Sequence, residues 1–181
     1  MKVTASFNCP HTVSITRPSL PQRSGLRVIS ICPTWTPWKN SAPEYQAPLL
    51  RQAITTPAAL APFDEADFPA ADAAYNFLSY HDLPAYGSDT AATNARLFNA
   101  LRPVGKYLII DHLAEDESEW RYADTIHRID KNVIIKEVVA AGFELLTDSP
   151  LLAHHEDPRT AGVYELRGAT DRAVLLFQKP Y

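Results

Sequence analysis

The stretch LFNALRPVGKYLIIDH, residues 97–112, contains a helix end, a turn and a strand within sixteen residues. Leu97, Phe98 and Leu101 fall on one face at helical spacing, and Ser88 or Asp89 is placed to cap a helix over Thr90–Leu101. Arg102-Pro103-Val104-Gly105 stops that helix, because proline cannot continue it and glycine accepts a positive φ. KYLIID, from Lys106 to Asp111, is a continuous apolar run, which predicts a strand buried on both faces. On the N-terminal side, Asp72 to Tyr80 is a strand candidate. Strand, helix and strand in succession make a βαβ unit, so the two strands are expected to be parallel.

Further along, a charged stretch, AEDESEW, reads as a solvated loop. A helix follows, from Asp124 or Asp130 to Ala141, with Ile129, Val133, Ile134 and Val138 on its apolar face. Ala141-Gly142-Phe143 ends it, Phe143–Thr147 begins a strand, and Ala173–Gln178 is the last strand. The segment between these strands, DSPLLAHHEDPRTAGVYELRGATD, is long for a hairpin connection and is expected to cover something.

The first part of the chain is composed differently. Ten of the fifteen prolines lie within residues 1–70, and six basic residues precede position 60 against one acid, Glu44. Strand candidates stand at 3–7, 12–16 and 26–31, each followed closely by a proline that confines it to an edge. The chain therefore divides into a proline-rich, irregular segment, 1–71, and an orderly α/β part, 72–181.

Totals exclude several classes. A length of 181 residues suits one core, which buries roughly 70% of the unfolded surface. A net charge of −4 gives no electrostatic case for nucleic acid. No run approaches the ~18 apolar residues of a membrane span, and the N-terminus has no apolar core of a secretory signal, so a cytoplasmic location is the expectation. Cys9 and Cys32 have neither zinc-site nor redox-pair spacing.

With its elements in this order, the chain resembles, over residues 72–181, the C-terminal half of the class I S-adenosylmethionine-dependent methyltransferases. The residues that carry the resemblance are YHDLPAYG (80–87), LFNALRPVGKYLIIDH, TIHRIDKNVIIKEVVAAGFELL (125–146) and RGATDRAVLLFQKP (167–180). YHD, DH and HRID in this order are similar to a bacterial predicted-methyltransferase branch. The resemblance implies an incomplete Rossmann-like methyltransferase sheet, α/β in class, of parallel strands with a C-terminal antiparallel strand. It implies S-adenosyl-L-methionine as cofactor and a small-molecule acceptor.

One part of that family's pattern is missing. Its cofactor site is built on a glycine-rich loop after the first strand, where a side chain would clash with the ligand. Here glycines stand at 25, 87, 105, 142, 162 and 168, and no two are within four residues of each other. Three strands with their helices ahead of residue 72 would need about a hundred residues, at roughly 30 or more for each βαβ unit. The chain thus reads as an S-adenosylmethionine-dependent methyltransferase by resemblance, either a truncated or frame-shifted relative, inactive as it stands, or one with a recast cofactor pocket. A non-catalytic, methyltransferase-derived interaction module is the alternative, and a metal-dependent hydrolase a third reading. Half a sheet leaves an edge to be covered by residues 1–70 or by another copy of the chain.

Candidate site residues collect at strand ends. His81 and Asp82 end one parallel strand and Asp111 and His112 the next, so with neighbouring strands about 4.8 Å apart the four share a rim. Adjacent residues point to opposite faces, so one of each pair faces a given pocket. His127 and Arg128, in HRID, begin the following helix, where the dipole favours an anion. A neutral imidazole there can take a proton, oriented by Asp111 or Asp130. The competing reading pairs Arg128 with Asp124 or Asp130 on the surface. Tyr80 and Asp64 are assigned to the cofactor side, Tyr80 as pocket wall and Asp64 within Phe63–Asp67 as an adenine-side contact, against core packing and a solvated acidic loop. His154, His155, Glu156 and Asp157 form a second polar cluster, but consecutive ligands without a spaced partner define no metal site, and none is assigned. Asp171-Arg172 reads as a structural ion pair.

Overall fold

A computed structural model of the chain describes residues 28–31, 70–166 and 168–181. The strand candidates at 3–7 and 12–16, the two cysteines and Asp64 lie outside these residues. Five strands form one sheet in the order β1-β2-β3-β5-β4: β1 Val28–Ile31, β2 Ala71–Phe77, β3 Leu101–His112, β4 Glu144–Asp148 and β5 Arg172–Gln178. β1, β2 and β3 run parallel, and β5 lies antiparallel between β3 and β4. The architecture is an open α/β sheet with a single reversed strand, as the sequence predicts. β1 falls inside the proline-rich segment and pairs along β2 from Val28↔Ala73 to Ile31↔Asn76, so that segment supplies the neighbour which the edge of β2 needs.

Helix α1, Thr90–Ala100, links β2 to β3 and is capped by Asp89, whose carboxylate accepts from the amide of Ala92 at 3.1 Å. Its end differs from expectation. Leu101 is already extended and pairs with Ala71, and the next register pair is Ala73↔Lys106. Arg102–Gly105 therefore bulges out of the strand's start, with Val104 at φ 59°. The residues that stop the helix are the same residues that form the bulge.

The long helix read between Asp124 and Ala141 is two pieces, α2 Ala123–Ile126 and α3 Lys131–Ala140, the latter capped by Asp130 through the amide of Asn132 at 2.8 Å. Gly142 follows α3 at φ 106°, and a Cβ there would stand 2.9 Å from the Phe98 ring, so this turn requires glycine on both counts. α1 packs on α3, and Leu97, Ile134, Val138 and Phe143 share a core with Tyr107, Ile109, Leu175 and Phe177 of the sheet. β3 is not equally buried on its two faces. Leu101, Tyr107, Ile109 and Asp111 are buried, whereas Lys106, Leu108, Ile110 and His112 are only partly covered. The apolar run predicted cover on both sides, but α1 and α3 pack on the Tyr107–Ile109 face alone.

Candidate functional site

β2 ends at Phe77, and the chain turns through Leu78, at φ 54°, before Ser79, Tyr80 and His81. This turn tilts His81 over the end of neighbouring β3. Its backbone amide donates to Asp111 Oδ2 at 2.9 Å, and its ring Nδ1 lies 2.7 Å from Asp111 Oδ1. Asp111 also accepts from the amide of His112 at 2.7 Å. The opposite ring nitrogen of His81, Nε2, is 3.2 Å from Asp82 Oδ1, and the same oxygen is 3.3 Å from His127 Nδ1. The rings of His81 and His127 meet edge to face at 5.4 Å. A chain of four side chains results: Asp111, His81, Asp82, His127.

His112 points to the other face of β3, as alternation requires, and its Nδ1 shares a hydrogen bond with the buried hydroxyl of Thr170 at 2.8 Å. Its ring lies 6.2 Å from that of His81. Four of the expected residues thus form one chain, with His112 beside it.

Electrostatics separates the two histidines. Burial alone would lower the pKa of His81, but the negative charge of Asp111 and the hydrogen bonds of Asp111 and Asp82 outweigh it and raise the pKa to about 10. Burial would raise that of Asp111, and the charge and hydrogen bonds of His81 instead hold it below the ordinary carboxylate value. His112 goes the other way: burial, and the nearby charges of His81, Arg172 and Arg128, bring it to about 4 despite Asp111. At neutral pH His81 is therefore an imidazolium between carboxylates, and His112 a neutral imidazole.

His127 does not begin a helix. It closes α2 in a left-handed conformation, φ 57°, and so stands outside the first turn of α3, which Asp130 caps. Arg128 takes neither expected surface partner. Its guanidinium is wholly buried, paired side by side with Asp157 at 2.9 and 3.1 Å, and donates to the carbonyls of Ala161 at 2.8 Å and Leu113 at 2.7 Å. Asp171 pairs with Arg159 at 2.8 Å, not with Arg172, which turns to Thr170 and Gly168. Asp157 also accepts from the amides of Arg159 and Asp171, and this uses up the second polar cluster: His154, His155 and Glu156 are left exposed.

Tyr80 lies in the core. Its hydroxyl donates to Glu137 Oε2 and accepts from Asn94 Nδ2, both at 2.8 Å, while its ring stacks on Trp120. No part of it is exposed toward a cofactor. Sequence reasoning missed Thr170 and Tyr164. The Tyr164 ring lies edge-on to His127 at 5.3 Å, and Val163 donates to the carbonyl of Ile126 at 3.4 Å. The long 148–171 segment thus covers the HRID turn, and its length was the one signal available.

No family model matches this chain, and no curated protein is similar to it in sequence. Solved structures are similar to part of it. The cyclase SpnF matches at 17% identity over 67% of this chain and 55% of its own, with a TM-score of 0.48. An S-adenosylmethionine-dependent methyltransferase from Mesorhizobium loti matches at 14% over 66% and 67%, with a TM-score of 0.45. The 1,6-didemethyltoxoflavin-N1-methyltransferase of Burkholderia thailandensis, with S-adenosylhomocysteine bound, matches at 18% over 68% and 50%, with a TM-score of 0.43. The matched part spans between half and two thirds of the length of these structures. The sheet order and the reversed β5 define the class of fold: an open, Rossmann-like mixed sheet with its polar side chains gathered where the parallel strands β2 and β3 end.

Proposed function

We propose that this chain is a methyltransferase-type domain whose rim of His81, Asp82, Asp111, His112 and His127 holds a small polar acceptor molecule. The observation that carries the reading is the convergence of these side chains beyond the carboxyl ends of adjacent parallel strands, Asp111 and His112 from the end of β3 and His81, Asp82 and His127 from the turns that follow, the place where open α/β sheets bind ligands. The YHD, DH and HRID resemblance supports the class.

The donor side does not fit. S-adenosylmethionine needs a close backbone approach near the ends of β1 and β2, and the chain has no glycine between residues 26 and 86. Among the described residues, Tyr80, the residue assigned to that side, is enclosed between Asn94, Glu137 and Trp120. On the acceptor side, Asp111 and Asp82 hold the buried ring of His81 between them, so the members of that chain that reach solvent and can meet an acceptor are Asp82 and His127. His112, neutral and hydrogen-bonded through Nδ1 to Thr170, offers an uncharged imidazole to the other face.

The missing glycine turn favours a second reading, a non-catalytic module that keeps the sheet for packing. Calorimetric titration of the purified full chain with S-adenosylmethionine decides between them. Saturable micromolar binding supports an enzyme in which residues 1–70 build a substitute pocket. Absence of binding by a folded, monodisperse chain overturns the enzyme and leaves the module.

A further inference from the structure

We propose that His81 Nε2, Asp82 and His127 Nδ1 form a binding site for a first-row divalent cation, with Zn2+ the best fit, held in place by Asp111 from behind. This goes beyond the acceptor reading and does not depend on it, since it concerns three side chains and an ion.

The geometry has three parts. First, the two imidazole nitrogens approach one carboxylate oxygen at 3.2 and 3.3 Å, and the three ligand atoms lie within 4.8 Å of one another. Zinc bonds of about 2.0–2.1 Å in a tetrahedral arrangement put neighbouring ligand atoms ~3.3 Å apart, so two of the three edges are already at the required length. The third closes with a small rotation of His127, whose side chain is one-third exposed. Second, His81 has the support that a ligating histidine needs. Its Nδ1 is bonded to a carboxylate that is itself completely buried, which keeps a proton on Nδ1 and directs Nε2 at the site, where an incoming cation displaces the Nε2 proton. Third, the site has an open side. Asp82 retains a fifth of its side-chain exposure, so water or a ligand oxygen has access to the remaining positions on an ion.

Two imidazoles and a carboxylate with open positions suit zinc or iron(II) and disfavour magnesium, which demands oxygen ligands. The backbone agrees. His127 is held at φ 57°, a conformation that costs a non-glycine residue energy and recurs at functional sites. Asp82 and His127 are 45 residues apart, and the ligand set is assembled by tertiary structure alone.

The test uses the purified full chain, treated with a chelator and dialysed, then titrated with Zn2+ alone in the absence of any methyl donor, so its outcome is independent of the donor titration above. One Zn2+ per chain is expected. His127→Ala and Asp82→Asn should each weaken binding at least tenfold, and Asp111→Asn by roughly 10–100-fold, the usual effect of losing the carboxylate behind a ligating histidine. His155→Ala, at an exposed histidine outside the cluster, should bind as the parent does. Circular dichroism melts of His127→Ala and Asp82→Asn confirm that each variant is folded before its affinity is compared. The proposal is overturned if no stoichiometric Zn2+ binds, if both folded variants bind like the parent, if His155→Ala abolishes binding, or if Mg2+ competes at equal concentration.

Discussion

Two buried charge clusters sit a few residues apart in this fold. Arg128–Asp157, with Arg159 and Asp171 around it, is closed: the guanidinium of Arg128 meets a carboxylate and two carbonyls, and Asp157 accepts from two backbone amides besides. The Asp111–His81–Asp82–His127 chain is buried at one end and open at the other, where Asp82 and His127 reach solvent. A cluster whose donors and acceptors are all matched within the protein fixes loops. One that ends at the surface has valence left for a ligand. Arg128 belongs to the first kind, and it pins the 148–171 segment over the HRID turn.

The largest effect should come from breaking the closed cluster. Asp157→Ala leaves the Arg128 guanidinium buried without its counter-charge, a loss of about 3–5 kcal/mol in unfolding free energy. Urea denaturation measures it, and a loss below 1 kcal/mol would show that the cluster is not closed in solution.

The half-buried chain should show itself through pH. In chelator-treated protein, His81 is charged in the fold up to about 10, against an ordinary 6.5, so its contribution is complete below pH 6.5 and is lost as pH rises toward 10. Asp111, held below 3.8, contributes above that value and loses its contribution as pH falls through its folded pKa. His112, brought down to about 4, stabilises above pH 6.5 and loses that stability as pH falls from 6.5 to 4. Stability should therefore peak near pH 6.5. Asp111→Asn should cost about 1.5–3 kcal/mol, the range for hydrogen bonds to charged groups, and flatten the alkaline limb. Melting curves from pH 4 to 10 test both, and an unchanged alkaline limb would remove Asp111 as the partner of His81.

The smallest effect belongs to the open end. His127→Ala removes a partly exposed ring with one long hydrogen bond, and should change stability by ~0.5 kcal/mol or less. A loss as large as that of Asp157→Ala in the same urea assay would mean that both clusters serve the fold alone.

Much of the architecture was legible in the chain. Local chemistry writes the cap Asp89, the glycine turn at Gly142 and the alternation that sends Asp111 and His112 to opposite faces, because each depends on residues within a few positions. The parallel pairing of β2 with β3 followed from the βαβ pattern, but β2 ends at Phe77, short of the expected Tyr80, so His81 and Asp82 lie in the turn beyond the strand and meet each other instead of alternating between faces. The splitting of the second helix was less legible, since Asp124 and Asp130 are both cap candidates by residue type, and only the fold shows Asp130 capping α3 while Ile129 bridges to Leu113 between the two pieces.

What the sequence determined alone, then, was the run of elements and the residues at their ends, for these rest on propensity and period. Tertiary structure decided the pairings: Asp111 with His81 across 30 residues, His127 with Asp82 across 45, Arg128 with Asp157 across 29. It decided as well that Tyr80 belongs to the core and that the pKa of His81 is raised. Burial and distance between charges set those outcomes, and neither quantity exists until the chain has folded.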